Sequence, residues 1–404
     1  MLERALEVFG VFFRLGLRSF GGPIAHLGYF REEFVVRRRW IEESAFAELV
    51  GLCQFLPGPT SSQVGFSLGL MRAGYRGALA AWLGFTLPSA ALLVLFALGA
   101  PRLHSHWGVP LLHGLRLVAL PIVAQAVATM ARALTPDLRR IGIAVLAAAV
   151  VLVAPGTLAQ LSALLLGAAL GLILCRQILQ PGALSSPFHG SRVVATFCLA
   201  SFWLLLLACM LFPLLDARGS GSLFGAFYRS GALVFGGGHV VLPLLRDALV
   251  KPGWVSDEAF LAGYGAAQAM PGPLFSLGAY LGFVATSGPH GLAGAALGLT
   301  ALFLPGILLL LAALPYWGQL QAAPALQSAF HGVQAAVVGV LAAALYDPIW
   351  KNSVHSFWDF VLALIALALL VLWRLPALLV VLVTALGAVA AAADPWALLQ
   401  PLVH

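Results

Sequence analysis

The chain is 404 residues long, 61% hydrophobic and only 9% charged, with a mean hydropathy of +0.98. An average soluble domain is about 25% charged, so that class is excluded and a polytopic membrane protein is expected. The net charge of +7 gives no reason to expect nucleic acid as a partner, because the basic residues sit at the ends of apolar runs, where the positive-inside rule places them.

In chain order, the first apolar stretch covers residues 5–30. It carries Arg14 and Arg18, lacks the short apolar core of a cleavable signal peptide, and is interrupted by Phe20-Gly21-Gly22-Pro23. The second, residues 44–71, is interrupted by Pro57-Gly58-Pro59 within "QFLPGPTSS". A proline inside a helix removes a hydrogen bond and clashes with the preceding turn, at about 3 kcal/mol. In lipid the freed backbone groups must also find partners. Further segments follow near 77–100, 109–133, 141–154 and 157–175, the last two short for a span of roughly 20 residues. A polar linker with Pro181, Gly182, Ser185, Ser186 and Pro187 leads to one unpaired segment, 193–215. Six more lie near 222–246, 257–286, 291–314, 326–346, 357–373 and 376–393, and "QAMPGPLFS" repeats the Pro-Gly-Pro break at Pro271-Gly272-Pro273.

The two sets of six are copies. Residues 9–22 and 224–237 agree at eight of fourteen positions, including Arg14 with Arg229 and both Phe-Gly-Gly ends; residues 40–59 and 254–273 agree at eight of twenty. His113-Gly114 corresponds to His331-Gly332. The expected organisation is a first repeat at 1–180, a linker with one unpaired segment at 181–215, and a second repeat at 216–404. One extra crossing turns the second copy upside down. Lys and Arg number 16 in residues 1–192 and 6 in residues 193–404, the bias expected if equivalent loops lie on opposite sides. The expected fold is therefore all-α, with about 13 transmembrane or re-entrant segments in an inverted 6+1+6 repeat, the architecture of many secondary transporters. The Arg37-Arg38-Arg39 run requires either an outside N-terminus or re-entrant first segments.

The breaks supply the candidate chemistry. A helix restarting after Pro59 or Pro273 presents free N–H groups and a partial positive charge, which attract anions. Thr60, Ser61, Ser62 and Ser276 add hydroxyls; Gln54 and Gln268 add amides. Gly21, Gly22, Gly236 and Gly237 allow backbone nests, with His26 and His239 just beyond as donors. Tight turns and close helix packing are the alternative readings of these elements. Arg14 and Arg229 sit inside apolar segments, where an arginine is costly and usually kept for an interior partner; the alternative is a side chain that snorkels to the headgroups. Arg18 and Glu48 lack counterparts and are candidates for coupling, with an acidic first helical turn as the other reading of Glu48. The four cysteines have neither disulfide nor zinc spacing, and no metal or cofactor is expected. No nucleophile elbow, zinc-protease or P-loop pattern appears, so no enzyme is expected.

Five stretches, "FGGPIAHLGYF" (20–30), "PGPTSSQVGFSLG" (57–69), "GFTLPS" (84–89), "FGGGHVVLPLL" (235–245) and "QAMPGPLFSLGAYLG" (268–282), together resemble the chromate transporter family in its long, two-domain form, over nearly the whole chain. The resemblance implies a carrier that exports chromate, driven by the proton or electrochemical gradient and conferring chromate resistance in bacteria and archaea. It also implies thirteen spans with oppositely oriented halves in the cell membrane. Its functional positions fall on the Phe-Gly-Gly and Pro-Gly-Pro elements of both halves. The expected partners are chromate or a similar oxyanion and the lipid bilayer, with a homodimer admissible. Transport of another tetrahedral oxyanion such as sulfate, a passive anion channel, and a non-transporting scaffold are the competing readings.

Overall fold

The computed structural model describes residues 2–100, 108–154, 156–175, 191–216, 219–235, 240–321 and 323–393. Every regular element among them is helical, as lipid demands of a chain that must satisfy its own backbone. Helix α1 (Leu2–Arg18) stops before Gly21; α2 (Gly22–Phe30) restarts there and continues into a π-helical stretch, Arg31–Arg37. Helices α3 (Glu43–Phe55) and α4 (Thr60–Gly99) flank the first Pro-Gly-Pro. Ala73 and Gly74 leave helical geometry and divide α4 into two arms, which fold together where Gly69 meets Gly77. Then come α5 (Gly108–Leu117), α6 (Ala119–Leu134), α7 (Leu138–Val153), α8 (Thr157–Leu174) and the connecting α9 (Arg192–Leu215).

The second set comprises α10 (Ser220–Ala232), α11 (Val241–Leu249) and α12 (Asp257–Ala269), then a 3₁₀ turn, Leu274–Ser276, that leads into α13 (Leu277–Val284). It continues with α14 (Gly291–Ala313), the short α15 (Trp317–Gln321), α16 (Pro324–Ala344), the one-turn α17 (Lys351–Ser353), α18 (Phe357–Val371) and α19 (Ala377–Ala393). Among the described residues, five helical stretches are long and apolar enough to cross a membrane: Thr60–Gly99, Val109–Leu134, Arg192–Phe212, Gly291–Leu320 and Pro324–Ser353. Large apolar side chains such as Val193, Phe197, Trp203 and Leu204 stand exposed along α9, as on a lipid-facing surface. The chain is a multi-pass membrane protein.

Close packing runs through small residues, which let helix backbones meet where lipid supplies no hydrophobic drive. Gly16 of α1 lies against the Gly84 and Phe85 carbonyls of α4, and its equivalent Gly231 lies against Leu302 of α14. Gly69 against Gly77 is matched by Gly282 against Gly294. The halves are also intertwined. Helices α7 and α8 pack on α16, whereas α18 packs on α6 and α19 on α5. Gly167 and Gly171 meet Gly332 at one of these contacts, and Gly114 meets Thr384 and Ala385 at the other. Each half thus lends its last two helices to the other half, the reciprocity of an isologous interface. An aromatic cluster sets α1, α2 and α4 relative to one another: the Phe12 ring lies 5.5 Å from Phe30, 4.9 Å from Phe34 and 6.4 Å from Phe85.

Candidate functional site

In each Pro-Gly-Pro the prolines carry no N–H, so the glycine holds the single backbone donor. Gly58 sits at φ +123° and Gly272 at φ +98°, backbone that residues with a Cβ avoid. Both donors cross to the opposite half. Gly58 N–H donates to Val234 O at 2.7 Å, and Gly272 N–H donates to Ser19 O at 2.9 Å. Ser19 and Val234 hold equivalent places, each immediately before a Phe-Gly-Gly. Every Pro-Gly-Pro turn therefore caps the broken end of the other half's first helix.

A second layer repeats the exchange. A Cβ on Gly58 would stand 3.0 Å from Gly306 Cα, and one on Gly272 would stand 2.8 Å from Ser89 Oγ. Ser89 and Gly306 follow Pro88 and Pro305 in equivalent helices. Gln63 Nε2 ties the first turn down by donating to Pro57 O and Gly306 O, both at 3.0 Å, and Ser89 and Ser276 share a hydroxyl hydrogen bond of 2.6 Å.

His26 completes the junction. Its Nε2 lies 3.1 Å from Ser19 O and its Nδ1 lies 3.2 Å from Ser61 Oγ. A carbonyl only accepts, so Nε2 carries the proton and Nδ1 accepts from the Ser61 hydroxyl. The ring is buried, edge-on to Phe85 at 5.2 Å. Gly21 (φ +100°) and Gly22 (φ +77°) turn the chain between α1 and α2, with Pro23 in the first turn of α2. Thr60, Ser61 and Ser62 are buried at the start of α4, whose first N–H groups have no partner within the helix.

Several polar atoms here are buried without a hydrogen-bond partner: Ser19 Oγ, Ser62 Oγ, Gln63 Oε1 and Thr86 Oγ1. Each such atom costs about 1–3 kcal/mol. Ser62 is only 5% exposed and Ser19 fully buried. The Ser19, Ser62 and Thr86 hydroxyls among them can donate and suit an oxyanion with several acceptor oxygens, whereas Gln63 Oε1 only accepts.

The structure gathers Gly21, Gly22, His26, Pro57, Gly58, Pro59, Thr60, Ser61, Ser62, Pro271, Gly272, Pro273 and Ser276 around this crossing. Other expected residues stand apart. Gln54 is exposed on α3, and Gln268 is half-buried beside Tyr264. Glu48 is half-buried on α3, with Oε2 unpartnered. Arg14 and Arg18 are exposed on α1, and Arg14 Nε donates to Gly10 O of its own helix at 3.1 Å. Arg229 donates to Cys209 O of α9 and lines a cavity of about 490 Å³ with Ser230, Leu233, Asp247, Lys251 and Trp254. Leu233 adjoins Val234, so this cavity flanks the junction. Gly236, Gly237 and His239 lie outside the described residues. Ser19, Gln63, Ser89 and Gly306 had no place among the sequence candidates. The match of Leu-Pro-Ser (87–89) with Leu-Pro-Gly (304–306) is a signal that could have found two of them, whereas Gln63 is single-copy, with Leu277 as its counterpart.

The family model for "Chromate transporter" matches residues 6–173 and 221–391. A "Probable chromate transport protein" of Synechococcus elongatus is 29% identical over 370 residues, covering 88% of this chain and 87% of the relative. A "Chromate transport protein" of Pseudomonas aeruginosa is 29% identical over 84% of this chain and 80% of its own length. One of the same description from Cupriavidus metallidurans is 27% identical over 90% and 87%. No solved structure matches the chain.

Proposed function

The chain belongs to the chromate transporter family, and on that premise we propose that it is a secondary carrier exporting chromate from the cytoplasm of a prokaryotic cell. The dianion is held near the bilayer midplane, where the broken helices of the two halves cross. The observation that carries this reading is the reciprocal pair of bonds, Gly58 to Val234 and Gly272 to Ser19, which ties the breaks of both halves into one junction. Reciprocity supports a two-fold relation between the halves. The single connecting helix α9 and the uneven basic content favour an axis in the membrane plane, and hence an inverted repeat of thirteen segments.

Helix N-termini each contribute roughly +0.5 charge. Those of α2, α4 and α13 offset much of a dianion's charge, and the unpaired Ser62 and Ser19 hydroxyls replace part of its water shell. Ser19, His26, Thr60, Ser61, Ser62 and Ser276 are buried, so loading requires the halves to move apart on one side at a time. Arg229 acts from the mouth of the flanking cavity, whereas Arg14, bonded only within its own helix, makes no contact there. Arg229→Gln is expected to slow transport at low chromate by about 3–10-fold, as loss of a steering charge does. Arg14→Gln is expected to stay within about twofold. Initial rates at matched protein density check both.

The reading is tested by labelled chromate flux into proteoliposomes holding the purified protein. A carrier gives saturable flux that accelerates exchange from a chromate-loaded lumen. Sulfate that competes equally would make chromate one of several tetrahedral substrates; flux that never saturates would replace the carrier with a channel.

A further inference from the structure

Away from the breaks, one contact between the halves is titratable. His113 of α5 and Asp359 of α18 meet through Nε2 and Oδ1 at 2.6 Å. Asp359 is the third residue of α18. Its carboxylate also accepts the backbone N–H groups of His355 and Ser356, 3.0 Å each, within a capping box. The Asp359 side chain is 9% exposed and that of His113 33%. The acid is held inside, and its partner reaches solvent. Among the ion pairs between described residues, the other carboxylates are matched to Arg or Lys, which stay charged at any physiological pH. This one has histidine as its cation, the side chain that titrates in that range.

The equivalent contact in the intertwined fold is built differently. His331 of α16 faces the start of α7, where Arg140 occupies the place of Asp359. Asp137 caps α7 and is bound by Arg140 at 2.6 Å. The backbone N–H and guanidinium of Arg140 hold its carboxyl below the ordinary carboxylate range. One inter-half contact is thus fixed in charge and the other is not. The charged or titratable groups on the elements packed around His113 and Asp359 are few. Arg116 lies on α5 itself, Arg132 is exposed at the end of α6, and Tyr264 lies on α12 with Asp257 and Glu258 in its first turn; α19 carries none. His355 and Arg374 flank α18.

We propose that His113 and Asp359 form the binding site for the coupling proton, at a contact that parts and re-forms as the two halves move. While the contact is made, one proton is shared between imidazole and carboxylate. When α5 leaves α18, the Asp359 carboxylate stays ionised on its two backbone N–H groups, and the His113 imidazolium, without its counter-ion, releases its proton to the water it faces. Re-forming the contact in the carrier's other orientation binds a proton again, taken from water on the opposite side of the membrane. The inference rests on the carrier reading above.

The test compares two rates in proteoliposomes of the full chain: chromate–chromate exchange without a gradient, and chromate flux with an imposed pH gradient. In the wild type the gradient accelerates flux. In Asp359→Asn, exchange is expected to persist while acceleration by the gradient falls to a ratio of about one. His113→Arg, which fixes the pair's charge as Arg140 does at the equivalent contact, is expected to do the same, and His331→Gln to keep the wild-type ratio. If Asp359→Asn fails to fold, His113→Gln, which keeps an N–H donor without titrating, is read in its place. Exchange and driven flux reduced together at an unchanged ratio would make the pair a structural clamp and overturn the proposal. Absence of wild-type exchange would instead remove the carrier reading.

Discussion

Gly272→Ala is expected to cut chromate transport by more than about tenfold and to destabilise the protein. The substitution forces a residue with a Cβ to φ +98°, at about 1–3 kcal/mol, and puts that Cβ 2.8 Å from Ser89 Oγ and 3.3 Å from Phe85 O. The serine hydroxyl can swing aside only by leaving Ser276, and the Phe85 carbonyl belongs to a packed helix. The turn must therefore shift, and the Gly272 N–H then lets go of Ser19 O. Gly58→Ala meets the same difficulty at φ +123° against Gly306 and is expected to behave alike. Gly10→Ala is the contrast: it lies within α1 with nothing inside 4 Å of its Cβ position. There alanine is expected to be neutral or stabilising, by up to about 1 kcal/mol. Flux and melting temperature of the three variants, at matched expression, check this. Near-normal transport by both Gly58→Ala and Gly272→Ala would show that the turns are not at the site.

Gln63→Glu is expected to have the other large effect. The side chain keeps its size, but a carboxylate replaces an amide that donates to Pro57 O and Gly306 O. At about 4–8 Å and an effective dielectric near 20, a unit charge repels each of the dianion's two charges by roughly 2–4 kcal/mol, roughly 4–8 kcal/mol together, or at least about 1000-fold in affinity. The sign with pH follows. At low pH the carboxyl is protonated, one donor returns and repulsion vanishes, so binding recovers; as pH rises it is lost again. Affinity taken relative to the wild type at each pH cancels protonation of the anion itself. Equal affinity in both proteins across this range would place the anion elsewhere.

The helix breaks were legible because a duplicated chain shows each twice. What could not be read was the partner of each break. Nothing in "QFLPGPTSS" says that Gly58 bonds to Val234 of the other half rather than to its own Ser19, because both lie before the same Phe-Gly-Gly. The arginines illustrate a different limit. Arg14 and Arg229 are equivalent in sequence, yet α9 lies over the face of α10 that carries Arg229, and the unpaired α9 has no copy beside α1. Equal positions therefore acquire unequal neighbours. Gln63, present once, carried no repeat signal. His113 and His331 served as markers of the duplication, but the carboxylate facing one of them, 246 residues away, aligns with an arginine.

The most direct measurement is equilibrium binding of labelled chromate to purified wild-type and Ser62→Ala protein. Ser62 Oγ is buried without a partner, so removing it should leave the melting temperature unchanged or higher. If that hydroxyl is kept for the oxyanion, its loss removes a hydrogen bond to a charged ligand, about 1.5–3 kcal/mol, and Kd should rise at least about tenfold. An unchanged Kd, with stability preserved, would contradict an oxyanion held at the crossing of the two Pro-Gly-Pro turns.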